Sequence, residues 1–243
     1  MCRVVASAGG FVTWRFSFLQ LASHRALDAH PRAERLNRNA SPLAVLRGAI
    51  NTVLDAPNFT LITTELSPSI PLPGGARRSV MTAVIQKPDR VALSGGQDAA
   101  IAIGSIGYLP GPPGEWTVER HVGESANFTN AALLYLHVLD RTTSVNRRDD
   151  SYMVPSAEIV SLLDSTRLSY FHNATDTTWT ATVRAGSLQS MTLHYDQQAQ
   201  SVTGSCGTIS CILAASPVTV TVTVSRVGMS PPINPPAKDS IVS

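Results

Sequence analysis

The chain has 243 residues, a net charge of +2, 43% hydrophobic residues and 15% charged residues. Such a length buries a core as one large domain or two small ones. Charge is sparse against the roughly 25% of an average domain, and 48 Ser and Thr supply the polarity instead. The mix excludes a disordered chain and a strongly basic nucleic-acid binder. It also excludes a transmembrane helix, because no uncharged apolar run is long enough to span a bilayer.

The charge is unevenly placed. Residues 1–40 hold Arg3, Arg15, Arg25, Arg32, Arg35 and Arg38 against Asp28 and Glu34, a net +4 that leaves −2 for the rest. This stretch reads as a basic arm outside the fold, poorly ordered or a mis-started signal region. A secretion signal wants a basic start, an apolar stretch and a small-residue cleavage site, and here Gly9-Gly10 and Arg15 interrupt the apolar residues. Cys2 stands too near the start for a lipid-anchoring motif to precede it.

The first helix is expected over 41–56. Ser41 suits the N-cap and Pro42 the first helical position, and Leu43, Leu46, Ile50, Val53 and Leu54 fall on one face. Pro57 stops it. From Phe59 the texture turns to strand: Phe59–Leu66, a Pro/Gly loop, then Ser79–Gln86 and Arg90–Leu93 about the Lys87-Pro88-Asp89 turn. Ala99–Ile103 and Ile106–Leu109 follow, then a Pro-Gly turn at 110–114 and a strand over Glu115–Val122, with Trp116, Val118 and Arg120 on one face.

Asn130–Leu139 reads as a short helix. Thr143–Asn146 and Ser151–Val154 read as a hairpin, and Ser156 as the cap of a helix to Thr166 with Ile159, Leu162 and Leu163 on one face. Thr178–Arg184 and Leu188–Tyr195 pair around Ala185-Gly186. Val218, Val220, Val222 and Val224 alternate with Thr219, Thr221 and Thr223, the strongest strand pattern in the chain: one face apolar, the other wettable. Residues 228–243, with four Pro, read as an extended tail. The fold class expected is α+β: a large curved antiparallel sheet of about ten strands, half-open, with two or three helices covering its concave face. The domain is placed at 41–227.

Few motifs carry chemistry. Neither a nucleophile elbow, nor a phosphate-binding loop, nor a dinucleotide fingerprint, nor a zinc-protease pair is present. Cys206 and Cys211, spaced C-x4-C, lack the two further ligands a zinc site would want. A hairpin disulfide is the expected reading, with two buried free thiols as the alternative. His194 and Asp196 share a strand face with Ser205 nearby in sequence, the one arrangement suggesting nucleophilic catalysis; a solvated strand face is the plainer account. No catalytic residue, metal or cofactor is assigned.

The order of elements nevertheless carries a resemblance. A helix leads into Asn58-Phe59-Thr60-Leu61, and a strand ends in Lys87-Pro88-Asp89-Arg90. Ile101-Ala102-Ile103-Gly104 precedes Tyr108 and Glu115-Trp116, Ser151-Tyr152-Met153-Val154 precedes a helix, and Val227-Gly228 with Pro231-Pro232-Ile233-Asn234-Pro235 closes the chain. Over about residues 41–236 this resembles the LolA-like superfamily of bacterial exported lipid and lipoprotein carriers, and is most similar to its actinobacterial LppX/LprG-type lipoproteins.

The resemblance implies an apolar cavity for acyl chains, an extracytoplasmic location in the periplasm or cell envelope, and no catalytic residues. Its partners would be a lipid or acyl chain and a lipoprotein or envelope protein, not nucleic acid. The candidate lining is Leu43, Leu46, Ile50, Trp116, Leu162, Trp179, Met191, Val220 and Val222; packed tightly, the same residues are ordinary core. A protein-binding module of the same fold, an envelope sensor or regulator taking a partner peptide at a sheet edge or helix, is the alternative.

Overall fold

The structure, a computed structural model, describes residues 40–68, 76–95, 99–120, 124–166, 174–197, 200–202, 211–213 and 216–242. Helix α1 (Pro42–Asp55) begins where Ser41 Oγ accepts from Ala44 N at 3.2 Å, with Pro42 at the first helical position. It turns Leu46, Ala49, Ile50 and Val53 inward. Six strands follow as a meander, β1 (Asn58–Pro68), β2 (Ala76–Gln86), β3 (Arg90–Ser94), β4 (Ala100–Ile103), β5 (Ile106–Pro110) and β6 (Trp116–Arg120), and β7 (Asn146–Arg148) and β8 (Ser151–Val154) form a hairpin at the opposite edge of the sheet. Helices α2 (Glu124–Asp140) and α3 (Ser156–Asp164) flank the β7–β8 hairpin.

The chain continues through β9 (Thr175–Arg184), β10 (Ser187–Gln197), a small separate pair β11 (Gln200–Val202) and β12 (Cys211–Leu213), then β13 (Ser216–Ser225) and β14 (Ile241–Val242). Twelve strands make one open sheet in the order β14-β6-β5-β4-β3-β2-β1-β13-β10-β9-β8-β7. All pairs are antiparallel except β14 with β6. This is the half-open α+β sheet expected from the sequence. The β9–β10 hairpin turns on Ala185 (φ 49°) and Gly186 (φ 77°). Two successive positive φ values give the turn whose twist suits flanking strands.

All three helices lie on one face of the sheet. Helix α1 packs over β10 and β9, α3 over β9, and α2 over β3, β4 and β5. Gly107 on β5 makes room for α2: a Cβ there would meet Glu124 Cγ at 3.1 Å. Together the helices and this face enclose one apolar cluster from Leu46 and Ile50 through Phe59, Leu61, Ile85 and Val91 to Trp179, Met191 and Val222.

Several local details differ from the sequence reading. Helix α2 starts at Glu124, six residues before the expected Asn130, because Ser125 N donates to Gly104 O and anchors an extra turn that the polar Asn127 and Thr129 disguise. Ser156 is not the cap of α3. Pro155 holds that position, and its carbonyl accepts from Glu158 N and Ile159 N. Ser156 Oγ instead donates to Thr177 O at 2.9 Å. The first strand of the β7–β8 hairpin starts at Asn146 rather than Thr143, because Thr143 and Ser144 are engaged by Glu158 on α3.

The Pro-rich segment after β13 is extended and runs across the face opposite the helices. Gly228 N donates to Asn58 O at 2.7 Å and Ser230 N to Asn58 Oδ1 at 2.7 Å. Further on, Ile233 N donates to Gln86 Oε1 and Arg90 Nη1 donates to Ile233 O. Ile233 is buried outside the main cluster, and β14 then adds beside β6.

Candidate functional site

Pairing register decides what faces the helices. Residues directly opposite one another on neighbouring strands share a face, and alternate residues along each strand return to it. One transverse row therefore runs Met81 (β2), Thr63 (β1), Val222 (β13), Met191 (β10), Ala181 (β9), Tyr152 (β8). The next runs Ser79, Glu65, Val220, Leu193, Trp179, Val154 across the same strands. On the other side of the first row lie Leu61, Ala83 and Leu93, then Phe59, Ile85 and Val91.

This inner face is not uniform. At the Phe59 end every side chain is closed off: Phe59 is 0% exposed, Leu61 1% and Ile85 2%. At the other end of the same strands Thr63, Glu65, Ser79 and Met81 are only half-buried, and Met81 packs against the cluster from its margin. These half-buried residues sit on β1 and β2, between the strands that α2 packs over, β3–β5, and those that α1 packs over, β9 and β10. The inner face is thus fully buried at one end and half-buried at the other, where polar groups begin.

The candidate lining residues separate accordingly. Leu46, Ile50, Leu162, Trp179, Met191, Val220 and Val222 all lie in the one apolar cluster between helices and sheet. Leu43 is half-buried on α1 outside that cluster. Trp116 lies on the opposite face: it pairs with Pro110, in step with Val118 opposite Tyr108 and Tyr108 opposite Ile101. Alternation within β6 put it on an apolar stripe, but only pairing tells which side that stripe faces. The corner residues Thr63, Glu65, Ser79 and Met81 were missed by the sequence. Thr63 and Glu65 break the apolar alternation of β1, so the pattern alone gives no sign that they continue the Phe59–Leu61 face.

One buried polar atom in the cluster is unusual. Trp179 is 1% exposed, and its Nε1 is the buried side-chain donor or acceptor without a hydrogen-bond partner among the described residues. Elsewhere among the described residues the buried side-chain polar atoms have partners. Thr142 Oγ1 donates to Glu158 Oε1 at 2.8 Å and to Ser144 O at 3.1 Å, and Thr177 Oγ1 donates to Ser156 O at 3.3 Å. Glu158 pins the α2–β7 connection to α3. Desolvation raises its carboxyl, but hydrogen bonds from Ser144, from the Thr143 amide and from the Thr142 and Thr143 hydroxyls outweigh that and hold it at about 2.

The catalytic alternative finds little geometry. His194 Nδ1 sits 3.0 Å from Thr219 Oγ1 on the outer face of the sheet. Asp196 is two residues along the strand, about 6.7 Å away in backbone spacing. Ser205, Cys206 and the side chain of Cys211 lie outside the described residues, so the expected disulfide does too. No group of three or more His, Cys, Asp or Glu among the described residues could hold a metal ion, and no described helix is long and apolar enough to cross a membrane. A separate open groove of about 680 Å³ lies where α3 meets the start of β9, lined by Ala157, Val160, Ala174 and Thr175–Thr178 among others.

No protein-family model matches the sequence, and no curated protein matches it. Among solved structures the chain is similar to LprF from Mycobacterium bovis, at 10% identity and a TM-score of 0.41, over 81% of this chain and 97% of that one. It is similar to the lipoprotein LppX of Mycobacterium tuberculosis at 10% identity and a TM-score of 0.32, over 79% of this chain and 97% of that one. A LolA superfamily protein of Nitrosomonas europaea aligns at 8% identity and a TM-score of 0.29, over 76% of this chain and 93% of that one.

Proposed function

We propose that this protein is a non-catalytic carrier that takes an acyl chain, of a lipid or an acylated protein, between the inner face of its sheet and the three helices. The observation that supports the reading is the inner face itself. It is continuous and apolar from β8 across β9, β10 and β13 to Phe59, Leu61, Ala83 and Ile85 on β1 and β2, and half-buried and largely polar at the Thr63–Met81 corner. An acyl chain entering at that corner would replace helix–sheet contacts by chain–sheet contacts. Burying it gains about 0.8 kcal/mol per CH₂, on the order of 10 kcal/mol gross for twelve carbons. From this must come the ordering cost of association, about 4–15 kcal/mol, so the chain has to be long to be held at all.

The cell envelope is the setting that the sequence resemblance suggests for such a carrier. The peptide-binding alternative gains no support from the β7 edge. That strand has three exposed residues, Asn146, Arg147 and Arg148, and short charged edges are poor templates for a further strand.

The test is native mass spectrometry of the purified chain together with solvent extraction of what it carries. A mass increment that extraction releases as acyl lipid supports the reading. A chain that is bare after purification and acquires no lipid from vesicles would overturn it, and one stoichiometric protein partner in place of lipid would favour the peptide-binding module.

A further inference from the structure

Trp179 stands where a hydrogen-bond donor is least welcome. Its indole N–H is buried and unpartnered, and a buried donor left unmade costs the free energy of desolvating it. The same-face neighbours offer nothing. Leu193 and Val154 flank it across the strands and Ala181 lies along β9. Thr177, on its other side, donates its hydroxyl to Ser156 O at 3.3 Å and accepts at its carbonyl from Ser156 Oγ at 2.9 Å, and neither group bonds the indole.

Trp179 lies in the transverse row Val154, Trp179, Leu193, Val220, Glu65, Ser79; the row is buried and apolar from β8 to β13 and half-buried and polar only on β1 and β2.

We propose that Trp179 Nε1 donates a hydrogen bond to the carbonyl of the bound acyl group, which fixes that carbonyl against β9 inside the apolar cluster. The proposal rests on the acyl-carrier reading above. Its ligand chemistry is a carbonyl joined to a long chain, from either an ester-linked lipid or an amide-linked acyl group. Trp179 is a specificity-determining residue: it selects acyl compounds over plain hydrocarbon.

The test is displacement of a pyrene-labelled long-chain fatty acid from the full chain by methyl tetradecanoate, N-methyl tetradecanamide and pentadecane. The wild type should bind the ester, the amide or both about fivefold more tightly than the hydrocarbon, the worth of one neutral hydrogen bond; which of the two is preferred separates a lipid ester from an acylated amine. Trp179→Phe should remove the preference, bringing the ester and amide to the hydrocarbon's affinity in the same variant, whereas a merely structural role would weaken all three alike and keep the preference.

A second readout does not depend on that variant folding. In the wild type, the indole ¹H–¹⁵N signal left after assigning Trp14 and Trp116 with Phe variants should move downfield with the ester or amide and stay in place with pentadecane. Equal affinities for acyl compounds and hydrocarbon in the wild type, or an unmoved Trp179 signal, would overturn the proposal while leaving the carrier reading intact. Failure of the labelled fatty acid to bind at all would overturn the carrier reading itself.

Discussion

The two ends of the inner face are built on the same strands and behave differently. At one end β1, β2 and β3 present Phe59, Leu61, Ala83, Ile85 and Val91, all closed off beneath the helices. At the other, β1 and β2 present Thr63, Glu65, Ser79 and Met81, all half-buried. Because side chains alternate with a fixed period of two, one run of strand can serve as core over its first half and as the rim of an opening over its second. The fully buried end belongs to the core, and the half-buried end is where the proposed ligand would enter.

Substitutions at the two ends should therefore have opposite signatures. The largest effect is expected at the fully buried end: Phe59→Ala removes a fully buried ring and should cost about 3–5 kcal/mol, read as a fall in the urea midpoint. If that change is tolerated within about 1 kcal/mol, that end is not core. At the half-buried corner Met81→Trp should leave the midpoint nearly unchanged and reduce fatty-acid uptake by about tenfold, the effect of about 1.4 kcal/mol; unchanged uptake would place the opening elsewhere.

Away from the inner face smaller effects are expected. Glu158, held at about 2 when folded, should contribute stability above its ordinary range of about 4.5, and this is lost as pH falls from there through the folded value. Glu158→Gln should flatten that acid limb by on the order of 1 kcal/mol, allowing for solvent screening, and an unchanged acid limb would show that its hydrogen bonds are not formed in solution. Ser41→Ala, which removes the α1 cap, should cost about 1 kcal/mol in thermal melts. Smallest of all, Arg184→Ala breaks an exposed ion pair with Asp150 at 3.4 Å and should fall within about 0.5 kcal/mol of the wild type; a larger loss would mean that this hairpin end is more rigid than its exposure implies.

Much of the fold was legible in the sequence because its signals are local. Ser41-Pro42 with apolar residues at steps of three and four gave α1 almost to the residue, and the Val-Thr alternation gave β13 and its two unlike faces. What stayed hidden depends on pairing. Trp116 alternates correctly within β6, yet the register with β5 and β4 turns it away from the helices. Thr63 and Glu65 read as polar strand residues until their pairing with Val222 and Val220 puts them on the apolar side. The orphaned indole of Trp179 could not be read at all, because a missing partner is a property of the packed chain.

The central claim is that the inner face accepts an acyl chain through the Thr63–Met81 corner. The most direct measurement is a fluorescence titration of the wild type and Met81→Trp with a pyrene-labelled long-chain fatty acid. The account predicts saturable binding of one probe per chain by the wild type and about tenfold weaker binding by the variant. Absence of saturable binding, or equal binding by both chains, would contradict it.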